Sequence, residues 1–345
     1  MKTSDIKYLA AFIIPALIFL GLEKEGIFTY SAVLFAFVFV PLLEPIFKSS
    51  SENLSEEDRV SKLSSVFFDF VLFLNIPLIY ISLTWLGNKI LEGQLSGFET
   101  LGYVLSFGTF LGASGINVAH ELGHKDNKMS KLSAVILLIP SLYTHFIIEH
   151  NRGHHKNVAT PLDPATARKN EMLYTFWIRS VVGSYLSAWK LEFKRLQKAN
   201  LSKWHISNMM YSFLVLQCLY LVFVYMVFGM TSLLVFVSIG IVSFIFLETI
   251  NYVEHYGLMR EKLQSGRYER VMPKHSWNSN HYVGRIILYE LTRHSDHHYL
   301  ANKKYQVLDH HNESPQLPFG YPTSMLISLC PPLWFRIMNS KLESV

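Results

Sequence analysis

Apolar residues fill six stretches of the chain and leave the polar residues gathered between them. The stretches are Tyr8–Leu22, Ile27–Phe47, Val66–Leu86, Leu101–Ala119, Ile206–Phe228 and Thr231–Leu247. A helix that crosses the hydrocarbon core of a bilayer needs roughly 20 apolar residues, and these six reach or approach that length. Only a few residues separate the first from the second and the fifth from the sixth, so each of those pairs is expected to form a membrane hairpin. Met172–Trp189 mixes aromatic residues with Arg179, next to Lys190, and is expected as an amphipathic helix at the interface. Lys2 and Lys7 precede the first stretch as in a secretory leader. No small-residue cleavage site follows, and Glu23-Lys24-Glu25 leads straight into the second stretch, so an uncleaved helix is expected.

Charge orients these spans. With the N-terminus inside, 29 of the 31 Lys and Arg residues fall on one side: 2 in the N-terminal arm, 3 in Lys48–Ser65, 13 in His120–His205 and 11 from Asn251 onward. Lys24 and Lys89 lie opposite. Positive loops resist translocation, which makes the crowded side cytoplasmic and places both termini there. The expected fold class is therefore all-α. It is a polytopic membrane protein with six transmembrane helices and a cytoplasmic helical cap from residues 120–205 and 251–345, all in one domain, 1–345.

Composition agrees. The chain is 50% hydrophobic and its mean hydropathy is positive, outside the range of ordinary soluble domains. The net charge of +5 would suit a nucleic acid, but the basic residues flank apolar runs and form no separate tail, which speaks for topology and against nucleic-acid binding. Cys218 and Cys330 are the two cysteines, so neither a disulfide framework nor a Cys-x-x-Cys metal site is available.

The histidines carry the chemistry. Nine of the 15 occur in four short patterns: His120-Glu-Leu-Gly-His124, His150-Asn-Arg-Gly-His154-His155, Glu254-His255 and His294-Ser-Asp-His297-His298. Residues four apart share a helix face, so His120 with His124, His150 with His154, and His294 with His297 or His298 can each offer two imidazoles to one ion. A single ion accepts about four to six donors, so nine suit two ions. A further apolar run, Leu132–Ile148, bears on this convergence. If it crossed the membrane, His120 and His124 would face the opposite side from His150, His154 and His155, so it is expected to be re-entrant or buried. Each cluster also has a carboxylate beside it that could orient an imidazole: Glu121, Glu149, Glu254 and Asp296. His145, His275 and His281 are further candidates for this supporting role, while His205, His310 and His311 are expected at the surface.

Three chemistries compete. Two redox-active irons could reduce O2 with two supplied electrons and oxidise a substrate lying in the bilayer, with the apolar spans beneath forming its channel. His120-Glu121-x-x-His124 also fits the zinc metalloprotease pattern, with Glu121 as base and Asp163 as a third acidic ligand. That reading leaves most of the other histidines without a role. Metal storage or transport would need polar residues deep in the spans, which hold little beyond Asp69 and Asn75.

The clusters resemble those of the integral-membrane alkane monooxygenases, within the desaturase-like di-iron superfamily. The likeness is carried by HELGHK (120–125), EHNRGHH (149–155), NYVEHYGL (251–258) and LTRHSDHH (291–298), and extends to ATPLDPATAR (159–168), GRYERVMPKHSWNSNH (266–281) and Gly320–Pro322. NYVEHYGL separates this family from the related desaturases and xylene-type hydroxylases. The resemblance implies two iron ions held by His120, His124, His150, His154, His155, His255, His294, His297 and His298. It also implies six spans in the bacterial inner membrane and hydroxylation of the terminal carbon of a linear alkane by O2. Electrons would come from rubredoxin, reduced in turn by a nicotinamide-dependent reductase. A fused rubredoxin would need paired Cys-x-x-Cys motifs, which this sequence lacks, so a separate donor is expected.

Overall fold

The computed structural model describes residues 2–47, 49–93 and 95–344. Lys48, one of the charges counted above, lies outside the described residues. The described chain is helical, with two isolated bridge pairs and no strand. Among the described residues five helices are long and apolar enough to cross a membrane: α1 (Thr3–Lys24), α2 (Gly26–Leu43), α3 (Phe67–Leu91), α4 (Gly97–His124) and a fifth, Met209–His255. The fifth merges the two stretches expected at 206–228 and 231–247. It breaks at Gly229 (φ 81°, ψ −179°), a conformation essentially open only to glycine.

That break folds the helix back on itself. Between α4 and the long helix lie α5 (Lys128–Leu138) and α6 (Leu173–Lys198), and the long helix is then α7. Trp189 of α6 packs on Tyr211 at 5.3 Å between ring centroids, and Trp177 Nε1 donates to Thr249 Oγ1 at 3.0 Å. On an unbroken helix Tyr211 and Thr249 would be about 57 Å apart, yet Trp177 and Trp189 are separated by only about 18 Å. The two halves of α7 must therefore run antiparallel.

Small residues set the spacing of the spans. A Cβ on Gly102 would come within 2.1 Å of the Thr29 side chain, and one on Gly108 within 2.3 Å of the Val242 side chain, so side chains of α2 and α7 pack directly on the backbone of α4. At the end remote from the histidines, Glu99 closes a capping box on Ser96 and also accepts the Gly26 amide at 2.9 Å, and Lys89 pairs with Glu25. At the near end Tyr8 donates to Glu290 at 2.7 Å, which ties α1 to the C-terminal third.

The run Leu132–Ile148 does not cross. α5 stops at Leu138, Leu142 takes a positive φ of 53°, and a short helical turn follows at Phe146–Glu149. Asn151 then donates to the Gly123 carbonyl at 3.0 Å, so the excursion returns to the place it left. Beyond the expected interfacial segment, α6 continues to Lys198, burying a stripe at 173, 176, 180, 184, 188, 192 and 196 with helical spacing.

Candidate metal centre

Four segments deliver the nine histidines to one place. His120 and His124 lie one turn apart near the end of α4, and His255 is the last residue of α7. His294, His297 and His298 lie on α8 (His294–Tyr299). His150–His154 forms a π-turn, in which the hydrogen bond spans five residues instead of four. The result is two adjoining groups: His120, His124, His150, His155 and His297, and His154, His255, His294 and His298. In each, the candidate ligand nitrogens lie within 4.8 Å of one another. This differs from the expected pairing of His150 with His154. The π-turn stacks residue i with i+5, sending His150 and His155 to one group and His154 to the other.

The nitrogens face inward. His120 Nε2 and His297 Nε2 are 2.8 Å apart, His150 Nε2 and His155 Nε2 3.0 Å, His155 Nε2 and His297 Nε2 3.1 Å. In the second group, His255 Nε2 meets His294 Nε2 and His154 Nε2 meets His298 Nε2, both at 3.2 Å. A metal–nitrogen bond of about 2.1 Å puts neighbouring nitrogens of an octahedron about 3.0 Å apart, so the spacing matches a coordination shell. Each neutral imidazole brings one donor and one acceptor nitrogen, so protons alone cannot satisfy five rings that share a centre. The buried His124 Nε2 has no partner among the described residues. A cation in each group resolves both conflicts, and the donor set fits it.

Electrostatics favour ligation. Burial first, and then the neighbouring imidazoles, hold His150, His155, His294, His297 and His298 well below the ordinary histidine range, which keeps them in the neutral form a metal requires. His154 is the exception. Burial opposes its charge, but the carboxylates of Asp163, Glu149 and Glu254 together outweigh burial and raise it. His154 Nδ1 donates to Asp163 Oδ2 at 2.9 Å, and Asp163 also accepts from Thr166 Oγ1 at 2.6 Å and the Ala165 amide at 3.0 Å. The carboxylate thus fixes the tautomer that leaves His154 Nε2 free to bind.

The expected supporting residues fall in varied places. Glu254 Oε2 stands 3.1 Å from His294 Nε2, the inward nitrogen, and Glu254 Oε1 accepts the Tyr321 hydroxyl at 2.6 Å; this carboxylate is within reach of the ion itself. Glu121 accepts the Tyr305 amide at 3.4 Å, and Glu149 accepts Ser187 Oγ at 3.3 Å, so neither bonds an imidazole. Asp296 accepts from His311 Nε2 at 2.7 Å and the Asp309 amide at 2.7 Å, so it braces the loop after α8 and engages His311, which was expected to be free at the surface. His145 packs on Tyr143 at 4.3 Å, His275 pairs with Glu269 at 3.0 Å and His281 bonds Ser279 at 2.9 Å; all three are outside the two groups. Asp163, weighed above only as a zinc ligand, is the orienting carboxylate that sequence reasoning passed over. Its signal was its place in the ATPLDPATAR segment.

A cavity with about 960 Å³ of empty space, its open mouth included, reaches this centre. His120, His150 and His294 line one end, and Ile14, Phe37, Ile116, Phe246 and Met325 are among the apolar side chains along it. Phe146 stacks on His150 at 4.7 Å between centroids and adds to the apolar wall. Two further π-turns, Phe35–Phe39 in α2 and Leu111–Ile116 in α4, supply part of the lining.

The fatty acid desaturase family model matches residues 98–325, which hold all nine histidines, so fold and site together define a helical membrane protein of that family. Its relatives narrow the assignment. Alkane 1-monooxygenase 2 of Pseudomonas aeruginosa is 37% identical over 94% of this chain and 87% of its own length, and alkane 1-monooxygenase 2 of Alcanivorax borkumensis is 35% identical over 96% and 88%. The chain belongs to the alkane 1-monooxygenases. The hydroxylase component of the xylene/toluene monooxygenase of Pseudomonas putida shares 29% over 83% of this chain and 76% of its own length.

Proposed function

We propose that the protein is a di-iron alkane 1-monooxygenase that converts a linear alkane, O2, two electrons and two protons into a primary alcohol and water. The observation that carries this reading is an apolar cavity opening on His120, His150 and His294, members of both histidine groups, in a chain of this family. Counting the halves of α7 separately gives six spans. The charge asymmetry supports a cytoplasmic histidine face and cytoplasmic termini, in the bacterial inner membrane. We assign five nitrogens to one iron and four to the other.

When bound, two irons supply the reduction of O2 and the oxidant for the C–H bond. The chain's own residues do the rest. An alkane offers no hydrogen-bonding group, so the shape of the apolar walls alone aligns its terminal methyl with the edges of His120, His150 and His294. The same walls keep bulk water away from that methyl. Asp163 keeps the proton of His154 on Nδ1. Electrons enter from rubredoxin, served by a nicotinamide-dependent reductase, that docks on the basic face.

The test supplies purified protein in lipid with rubredoxin, reductase, NADH, O2 and alkanes of graded length. Primary alcohol, with about two irons per chain and little zinc, is expected. Alkene as the main product would move the protein to the desaturases, and zinc with peptide cleavage would revive the protease reading of His120-Glu121-x-x-His124.

A further inference from the structure

The cavity at the metal centre has a neighbour on the flank of the bundle. A second, apolar hollow with about 600 Å³ of empty space is lined by Val33 and Phe37 of α2, Trp177 of α6, Ile245 and Phe246 of α7, and Met325, Leu326 and Leu329 near the C-terminus. Phe37, Phe246 and Met325 line both spaces. These three residues form a wall that the two hollows share. Another flank groove, between α1 and α2, shares only Phe35 with the cavity.

The partition is built from side chains that rotation could move aside. Phe37 and Phe246 meet with ring centroids 5.2 Å apart at 50°, an unstacked contact. Each is only half-buried, and Met325 is an unbranched side chain with three rotatable bonds. Phe37 also sits in the π-turn Phe35–Phe39, where the helix carries a residue in excess of the α-helical count. The outer rim is apolar and open: Leu326 and Leu329 are each 43% exposed. Polar groups at the rim are already engaged. Trp177 Nε1 is bound to Thr249, and Tyr174 donates to the Leu329 carbonyl at 2.6 Å. A tryptophan and a tyrosine so placed mark the depth at which acyl chains meet head groups.

We propose that Phe37, Phe246 and Met325 form a side-chain gate through which a linear alkane dissolved in the bilayer passes from the flank hollow into the cavity at the histidines. The alkane as occupant rests on the function proposed above. The route follows from the shared wall: a saturated chain loses nothing by leaving lipid for an apolar groove, and from there rotation of the three shared side chains would open the way to the cavity.

The test is photolabelling of the full-length protein in phosphatidylcholine vesicles with an alkane that bears a diazirine. It reads position by peptide mapping and requires no turnover. In the wild type, label is expected on flank peptides containing Leu326 or Ile245 and on cavity peptides containing Ile116 or Leu291. Leu326→Trp, an exposed position on the flank side alone, should cut cavity labelling at least fivefold and lower kcat/KM for a long alkane to a similar degree, with kcat and iron content kept. Phe246→Ala should raise cavity labelling. Ile27→Trp, in the other groove and 60% exposed, should leave labelling and turnover unchanged. The gate is refuted if Leu326→Trp leaves cavity labelling intact, or if Ile27→Trp reduces it equally. Labelling by this route in a protein that makes no alcohol would overturn the proposed function and leave the gate standing.

Discussion

Replacing Asp163 by Asn isolates what one carboxylate does for the metal centre. Asp163 uses one oxygen to accept from the Ala165 amide and the other to accept from both His154 Nδ1 and Thr166 Oγ1. An asparagine can keep only one of these arrangements. With its carbonyl toward Ala165, its NH2 group faces His154 Nδ1 and drives the imidazole proton to Nε2, the nitrogen that looks at His298 from 3.2 Å. With the amide flipped, the NH2 group opposes the Ala165 N–H in a site that is fully buried. The first arrangement makes His154 a poor ligand and the second keeps its acceptor only against a buried donor–donor clash, so either costs about 1.5–3 kcal/mol for a charge-assisted bond lost in the interior. Loss of such an orienting partner lowers metal affinity about 10–100-fold, which is the same energy. The loss should be confined to the four-histidine group. Under dialysis against a competing chelator, bound iron should fall from two toward one per chain in Asp163→Asn, while the wild type keeps two. Equal weakening of both ions, or no weakening, would refute the tautomer argument.

Other expectations follow from the same geometry. His150→Ala should deplete the five-histidine group and His154→Ala the four-histidine group, which Mössbauer spectra of the remaining iron will distinguish; identical spectra would reject the partition. Acid should remove the two ions in order. His150, His155 and His297 are held below the ordinary histidine range, so protons compete with metal there only at low pH, whereas the raised value of His154 starts that competition nearer neutrality. As pH falls from about 7.5 to about 5.5, metal should leave the four-histidine group first. Gly229→Ala forces an L side chain into the φ 81°, ψ −179° turn, although a Cβ would meet no other atom there. The strain of about 1–3 kcal/mol should lower the midpoint of thermal unfolding in detergent by a few degrees, and an unchanged midpoint would mean the hairpin relaxes freely. Turnover driven by an acidic electron donor should decline as ionic strength rises, and indifference to salt would place docking away from the basic face.

Much of the architecture was legible because bilayer-spanning helices announce themselves by length. Each apolar stretch falls on an observed helix, although Glu44–Phe47 and Ile206–Asn208 run past the helix ends, and the return of Leu132–Ile148 followed from requiring its flanking histidines to meet. The hairpin of the last two stretches was expected as well, and its turn at Gly229 falls between them. What escaped was set by local backbone chemistry. The supporting residues were harder still. Glu121 and Glu149 lie next to histidines in sequence, yet on a helix adjacent side chains diverge by about 100°, so neither reaches the imidazole beside it. Asp163 is eight residues beyond the nearest cluster and reaches His154 because the Thr160–Thr166 loop curls back beneath it, with the Asp163 amide bonded to the Thr160 carbonyl at 3.2 Å.

The same divergence explains why the histidines form two groups. Of the three histidine doublets in the sequence, two enter the groups, His154-His155 and His297-His298, and each of these is split between them. Neighbours about 100° apart on a helix cannot both point at one ion a few ångströms from the axis, so a doublet facing a packed interior serves two centres. Partners then follow from the local hydrogen-bonding pattern. On α8, which is α-helical, His298 joins His294 four residues earlier and His297 turns to the other group. Across His150–His154, where the bond reaches five residues, His155 joins His150 and His154 turns away. The extra residue of the π-turn therefore decides which member of the doublet feeds the five-histidine group. Deleting Asn151 while restoring an α-turn would bring the second histidine of that doublet to the i+4 position and keep its alliance with His150, at the cost of the Asn151 bond to Gly123.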